Sequence, residues 1–329
     1  MRQNYACPID PKGSSAPKQP NLHDICPCGE PVGALLEIKK IIEMMAEDFN
    51  FALLDQLHAD LILLFSGQYP GYRASNTAYH DVFHTNAVAL AMTRILHGFV
   101  LEGRRLSTWE ITIGVFAAFF HDTGLIQEED DQEGTGAKYT IGHEQRSINL
   151  MRRYLAPRGF SPEDLDDCSQ IIQCTILSKD PREIPFRTKE TALLGKAMGS
   201  ADLLAQMADR QYLEKLSSLY REFYEGGIPG YDSELEIINK TEEFFHTVAQ
   251  RRLEVELDGV GASVKQHFRV RWGIDQDLYE AAICKNLAYL KQVREKCRDR
   301  YECYEENLRR GRKKKKVNDP PGEDNVEKN

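Results

Sequence analysis

Two histidines four residues apart, His80 and His84, stand in TAYHDVFHTNAVAL, residues 77 to 90. On a helix that spacing projects both imidazoles from one face, where they can bind a cation or exchange a proton. Further on, GVFAAFFHDTG, residues 114 to 124, carries an apolar run straight into His121 and Asp122. Burying an imidazole beside a carboxylate is costly unless a partner compensates. A divalent cation is the natural partner, since neutral imidazole and carboxylate together suit zinc, manganese, iron or magnesium. A third piece is Asp202, set among the small and apolar residues Gly199 to Leu204, where a solvent-facing carboxylate is not expected. Asp209, beside Arg210, reads instead as a surface salt bridge.

Such groups need rigid elements to hold them, and the hydrophobic pattern supplies helices. Apolar residues recur at three- and four-residue spacing over 34–65 and again over Asn76–Phe99. Ser107 opens a further helix with Glu110 three residues on, the sequence form of a capping box. More helical pattern covers Gly142–Ala156, Ser161–Ser178, Thr188–Glu225, Asp232–Leu257 and Asp275 to about Leu308. HFRVRWGI, residues 267 to 274, is the one segment that alternates like a strand. The expected class is all-α, a multi-helix bundle. Residues 1–30, rich in Pro, Gly, Ser and Asn, read as a flexible N-terminal segment. Residues 31–305 read as one helical domain, and 306–329 as a basic cluster followed by a polar, disordered tail.

Composition narrows the partners. A chain of 329 residues, 41% hydrophobic and 28% charged, can bury a core that needs no disulfides. With 42 basic and 51 acidic side chains, the net charge of -9 argues against a general nucleic-acid binder. No run of about 18 apolar residues predicts a membrane span. The first residues lack the apolar stretch of a secretory signal, so the cytoplasm is the expected location. There the eight cysteines are expected as reduced thiols, and the one-residue gap between Cys26 and Cys28 is not that of common zinc sites.

In order along the chain, a histidine, a His-Asp pair and a distant aspartate on a helix resemble the HD-domain superfamily of metal-dependent phosphohydrolases. The tighter form at Tyr79, His80 and His84 is similar to the Tyr-His-Asn-x-x-His motif of the cyclic-nucleotide phosphodiesterase catalytic domain. The resemblance covers roughly residues 75 to 210. It implies a bundle of the HD-domain, phosphodiesterase-like kind. It also implies one or two divalent ions, with His84, His121, Asp122 and Asp202 as metal ligands and His80 as the proton donor to the leaving oxygen. His143 then matches a second-metal or phosphate site, with Asp122 as the bridge between ions, while Lys138 and Arg146 are phosphate contacts suggested by proximity alone. The implied activity is hydrolysis of a nucleotide-type phosphate ester, a small molecule, by a metal-activated water. A nucleotide phosphomonoesterase on the same centre and a non-catalytic signalling module of HD type are the alternatives. Helices beyond residue 232 leave packing, a homodimer contact or a lid open.

The sequence also departs from the family. Asp81 stands where the phosphodiesterase motif has Asn, and HDTGLIQ lacks the His-x-Gly and Asn that continue the motif there. Leu125, and Cys174 with Thr175, occupy the places of a Lys and a His-His pair in the cyclic-dinucleotide type, which argues against a three-metal site.

Overall fold

A computed structural model of the chain describes residues 20–25 and 31–308. Among them are twelve α-helices and no strand, with one isolated bridge pairing Tyr72 and Glu128. A 3-10 turn at Leu22–Asp24, with Leu22 buried, precedes α1 (Pro31–Glu43) and α2 (Phe51–Phe65). Then come α3 (Val82–Leu101), α4 (Thr108–Phe120), α5 (His143–Leu155), α6 (Pro162–Gln173), α7 (Lys189–Ala208) and α8 (Tyr212–Glu225). The last are α9 (Glu234–Phe244), α10 (Val264–Trp272), α11 (Leu278–Cys297) and α12 (Tyr301–Leu308), with two π-helical turns, Phe245–Ala249 and Arg252–Glu256, after α9. None of these helices is long and apolar enough to cross a membrane.

The helical pattern holds, and the structure revises its boundaries. The run over 34–65 is two helices, α2 opening where Asn50 accepts the Leu53 N–H at 3.1 Å. Residues 188–225 divide at Asp209–Gln211, and 275–308 divide at Arg298–Arg300. The Ser107–Glu110 capping box forms, with Ser107 N–H donating to Glu110 Oε2 at 2.6 Å. Helix α3 starts at Val82 rather than Asn76, because Asp81 adopts an extended backbone and its Oδ1 accepts the His84 N–H at 2.8 Å. His80 therefore precedes the helix instead of sharing a face with His84.

The strand expected at 267–274 is the helix α10 and its end. Val264, His267 and Phe268 are buried at helical spacing, so the alternation in FRVRW is coincidental. The reduced state expected for the cysteines is also corrected, since Cys297 and Cys303 form a disulfide across the break between α11 and α12. Cys168 and Cys174 are free and buried. Cys26 and Cys28 lie outside the described residues, as do most of the expected N-terminal segment and C-terminal tail.

Helix α3 is the centre of the packing. Fifteen of its residues are buried, and α1, α4, α7 and α10 surround it. It is buried on nearly every side, with Arg94 and His97 enclosed among its apolar residues. Its N-terminal end delivers His84, and α4 runs alongside it into His121.

Candidate metal centre

Four elements meet at one point. His84 lies in the first turn of α3, His121 and Asp122 follow the apolar run 113–120 that ends α4, and Asp202 projects from the middle of α7. His143 is the first residue of α5. The tight group is His84, His121 and Asp122, all buried, with one ligand atom from each mutually within 4.8 Å. His121 Nε2 is 3.0 Å and His84 Nε2 3.4 Å from Asp122 Oδ2. Asp202, 21% exposed, completes the ring: its Oδ1 is 3.3 Å from His84 Nε2 and 3.7 Å from His121 Nε2. On the other side of Asp122, Oδ1 is 3.2 Å from His143 Nε2.

The hydrogen bonds of the far ring nitrogens decide what these atoms can bind. His121 Nδ1 donates to the Ala118 carbonyl at 2.8 Å, and His143 Nδ1 donates to the Thr140 carbonyl at 2.9 Å. Each neutral ring then turns an Nε2 lone pair toward a carboxylate oxygen, which is also an acceptor. His121 Nε2 and Asp122 Oδ2 are both buried without a hydrogen-bond partner. Two facing lone pairs repel unless positive charge sits between them, so this donor set fits a divalent cation. Imidazole and carboxylate together admit zinc, manganese, iron or magnesium.

Electrostatics points the same way. Burial alone would depress His84, but Asp122 and Asp202 outweigh it and lift its pKa to about 10. His143, depressed by burial and raised by Asp122 and Glu144, reaches about 9, and His121 is raised by Asp122 in the same manner. Burial would raise Asp122, yet His121, His143 and His84 hold it well below the usual carboxylate range. Without a metal these rings attract protons, which marks the cluster as a place that demands positive charge.

His80 is held apart from this group by a residue the sequence reading did not identify. Its Nδ1 donates to Glu222 Oε2 at 2.6 Å, and the other oxygen of Glu222 accepts the Tyr79 N–H at 2.5 Å. The His80 ring centre is 5.8 Å from that of His84 and 6.4 Å from that of His143. Glu222 is on α8 and only 3% exposed. A signal was present: Glu222 falls three residues after Leu219 and six after Leu216, on the buried stripe of α8, where a carboxylate needs a partner.

The two phosphate contacts suggested by proximity are engaged elsewhere. Lys138 Nζ donates to Asp131 Oδ1 at 2.5 Å and to the Glu133 carbonyl at 2.7 Å. Arg146 donates to the carbonyls of Gly124 at 2.7 Å and Ile126 at 3.2 Å while stacking on Tyr139. Asp209, read as a surface partner of Arg210, pairs with Lys215 at 3.0 Å. No protein-family model matches the chain. No curated protein matches it in sequence either.

Proposed function

We propose that the chain is a metal-dependent phosphohydrolase of the HD-domain kind, acting as a phosphodiesterase on a small nucleotide-type phosphate ester. The observation that carries this reading is the convergence of His84, His121, Asp122 and Asp202 with unpartnered lone pairs at its centre. A divalent ion held there would neutralise charge on phosphoryl oxygens and make water easier to deprotonate near neutral pH. Asp122, with one oxygen toward His84 and His121 and the other toward His143, could serve a second ion as well.

The rest falls to the side chains. Glu222 accepts the Nδ1–H of His80, which fixes the ring and leaves Nε2 as its free nitrogen. Nε2 is then the nitrogen that hands a proton to the departing alkoxide as its bond to phosphorus breaks. A leaving alkoxide is a strong base in a diester and in a nucleotide monoester alike, so an acid at this place serves either. What inclines the reading to the diester is the Tyr79, His80 and His84 spacing, similar to the phosphodiesterase motif.

The test combines metal analysis with kinetics on a nucleotide diester. His80→Ala is expected to keep its metal and lose roughly 100-fold in kcat. Asp122→Ala is expected to lose both metal and turnover. Equal metal loss in the two variants would make His80 a ligand instead of an acid. A metal-loaded wild type that hydrolyses p-nitrophenyl phosphate but not bis(p-nitrophenyl) phosphate would establish a monoesterase.

A further inference from the structure

Helix α8 meets the segment before α3 twice. Lys215 and Glu222 are seven residues apart, two turns, and so lie on one side of the helix. Glu222 grips Tyr79 N–H and His80. Lys215, one step along the same side, has its Nζ 3.0 Å from Asp209 Oδ2 and 3.9 Å from Asp81 Oδ2.

Both of those carboxylates stand at helix ends that serve the metal centre. Asp81 caps α3 through the His84 N–H. Asp209 is the C-terminal cap of α7, the helix that carries Asp202. The Lys215 side chain is 19% exposed, so the pair is shielded beyond what an ordinary surface ion pair enjoys. Burial would lower its pKa, but Asp209 and Asp81 outweigh that and hold it raised. Lys215 thus carries a retained charge between two carboxylates that would otherwise face each other across the start of α8.

We propose that Lys215 is a positioning residue for leaving-group protonation: by joining Asp81 to Asp209 it fixes the Tyr79–Asp81 segment against α8, so that Glu222 presents His80 in one orientation. The inference rests on His80 being the acid. It assigns Lys215 no contact with substrate. What it predicts is selective. A misplaced acid slows only reactions that need a proton at the leaving oxygen, whereas a loosened fold slows all of them.

The experiment compares two esters of one nucleoside 5′-phosphate, with p-nitrophenol and with methanol as leaving group. The first needs no protonation to depart, and the second does. Lys215→Met is expected to lower kcat about tenfold on the methyl ester and by about twofold or less on the p-nitrophenyl ester. Metal content should stay at the wild-type level, and Lys215→Arg should restore most of the loss. Asp81→Asn, which keeps a capping oxygen without the charge, should give the same split and serves where Lys215→Met does not fold. Equal losses on both esters, or none on the methyl ester, would overturn the role of Lys215. His80→Ala is the reference: a split there combined with none in Lys215→Met removes this inference alone. No split in His80→Ala removes the reading of His80, and the inference with it.

Discussion

At the scale of single residues, the far nitrogen of each histidine sets what the near one can do. His121 and His143 spend Nδ1–H on backbone carbonyls and face Asp122 with lone pairs, while His80 spends Nδ1–H on a carboxylate. Either arrangement can orient a ligand, so under the proposed function it is the place of His80 beside Glu222, outside the group around Asp122, that assigns it the proton. Glu222→Gln separates the two roles, because an amide preserves the shape but is a weaker acceptor for the His80 Nδ1–H that fixes the ring. Turnover of an alkoxide-leaving diester should fall about tenfold with metal content unchanged, measured by steady-state kinetics beside elemental analysis. Loss of metal in that variant would place Glu222 in the support of the ligands. Most of the site was legible in residue type and local context: His121 and Asp122 after an apolar run, and Asp202 among small residues. Glu222 was harder to see because it lies 142 positions from His80 in a segment rich in other charges, and only the buried stripe of α8 marks it.

At the scale of elements, the same site depends on how closely two segments approach. Gly124 N–H donates to Ser147 Oγ at 2.8 Å, and a Cβ built on Gly124 would lie 2.0 Å from the His143 carbonyl and 2.6 Å from the Ser147 nitrogen. Those are backbone atoms of the first turns of α5, so they cannot turn aside as a side chain could. Gly124→Ala should push α5 away from the HD turn and carry His143 off Asp122. The expected cost is about 1–3 kcal/mol in urea unfolding, together with activity lost per bound metal. Unchanged stability would show that α5 has slack at this contact. Helix existence was legible from period, yet helix ends were not, because caps depend on backbone geometry that composition does not encode. Asp81 is the example: its residue type suits a cap, but so do Asn76 and Thr77, and only the extended backbone at 81 selects it. Residues 267–274 misled in the opposite way, since five residues can alternate by chance while the deciding burial lies in Val264, His267 and Phe268.

At the scale of the molecule, α3 joins the candidate metal centre to a second group of buried polar and charged side chains about 20 Å along its axis. There His97 Nδ1 lies 3.0 Å from His267 Nδ1 of α10, and both rings are buried. Arg94 stacks over Phe268 and Tyr279 close by, at 5.4 and 5.8 Å, and Arg271 reaches Glu37 on α1 at 3.5 Å. One proton can bridge the two imidazoles, but a second would add charge beside two guanidinium groups. Burial first, then Arg94, His97 and Arg271, push the His267 pKa down to about 2, and burial with Arg271 lowers His97. The unfolded chain, with ordinary imidazoles near 6.5, binds more protons than the folded one anywhere below that pH. Stability from this pair is therefore complete above the unfolded pKa and declines as the pH falls below it, by up to about 1.4 kcal/mol per pH unit for each ring. The metal ligands also titrate, so the measurement is a difference. Urea unfolding of the wild type and of His267→Phe at pH 7.5 and pH 5.0, with the same metal present, cancels what the two proteins share. The wild type should lose about 2 kcal/mol relative to the variant between those conditions. A gap that stays constant with pH would mean that His267 titrates alike in the folded and unfolded chain, so that burial beside Arg94 and Arg271 adds no pH dependence to stability.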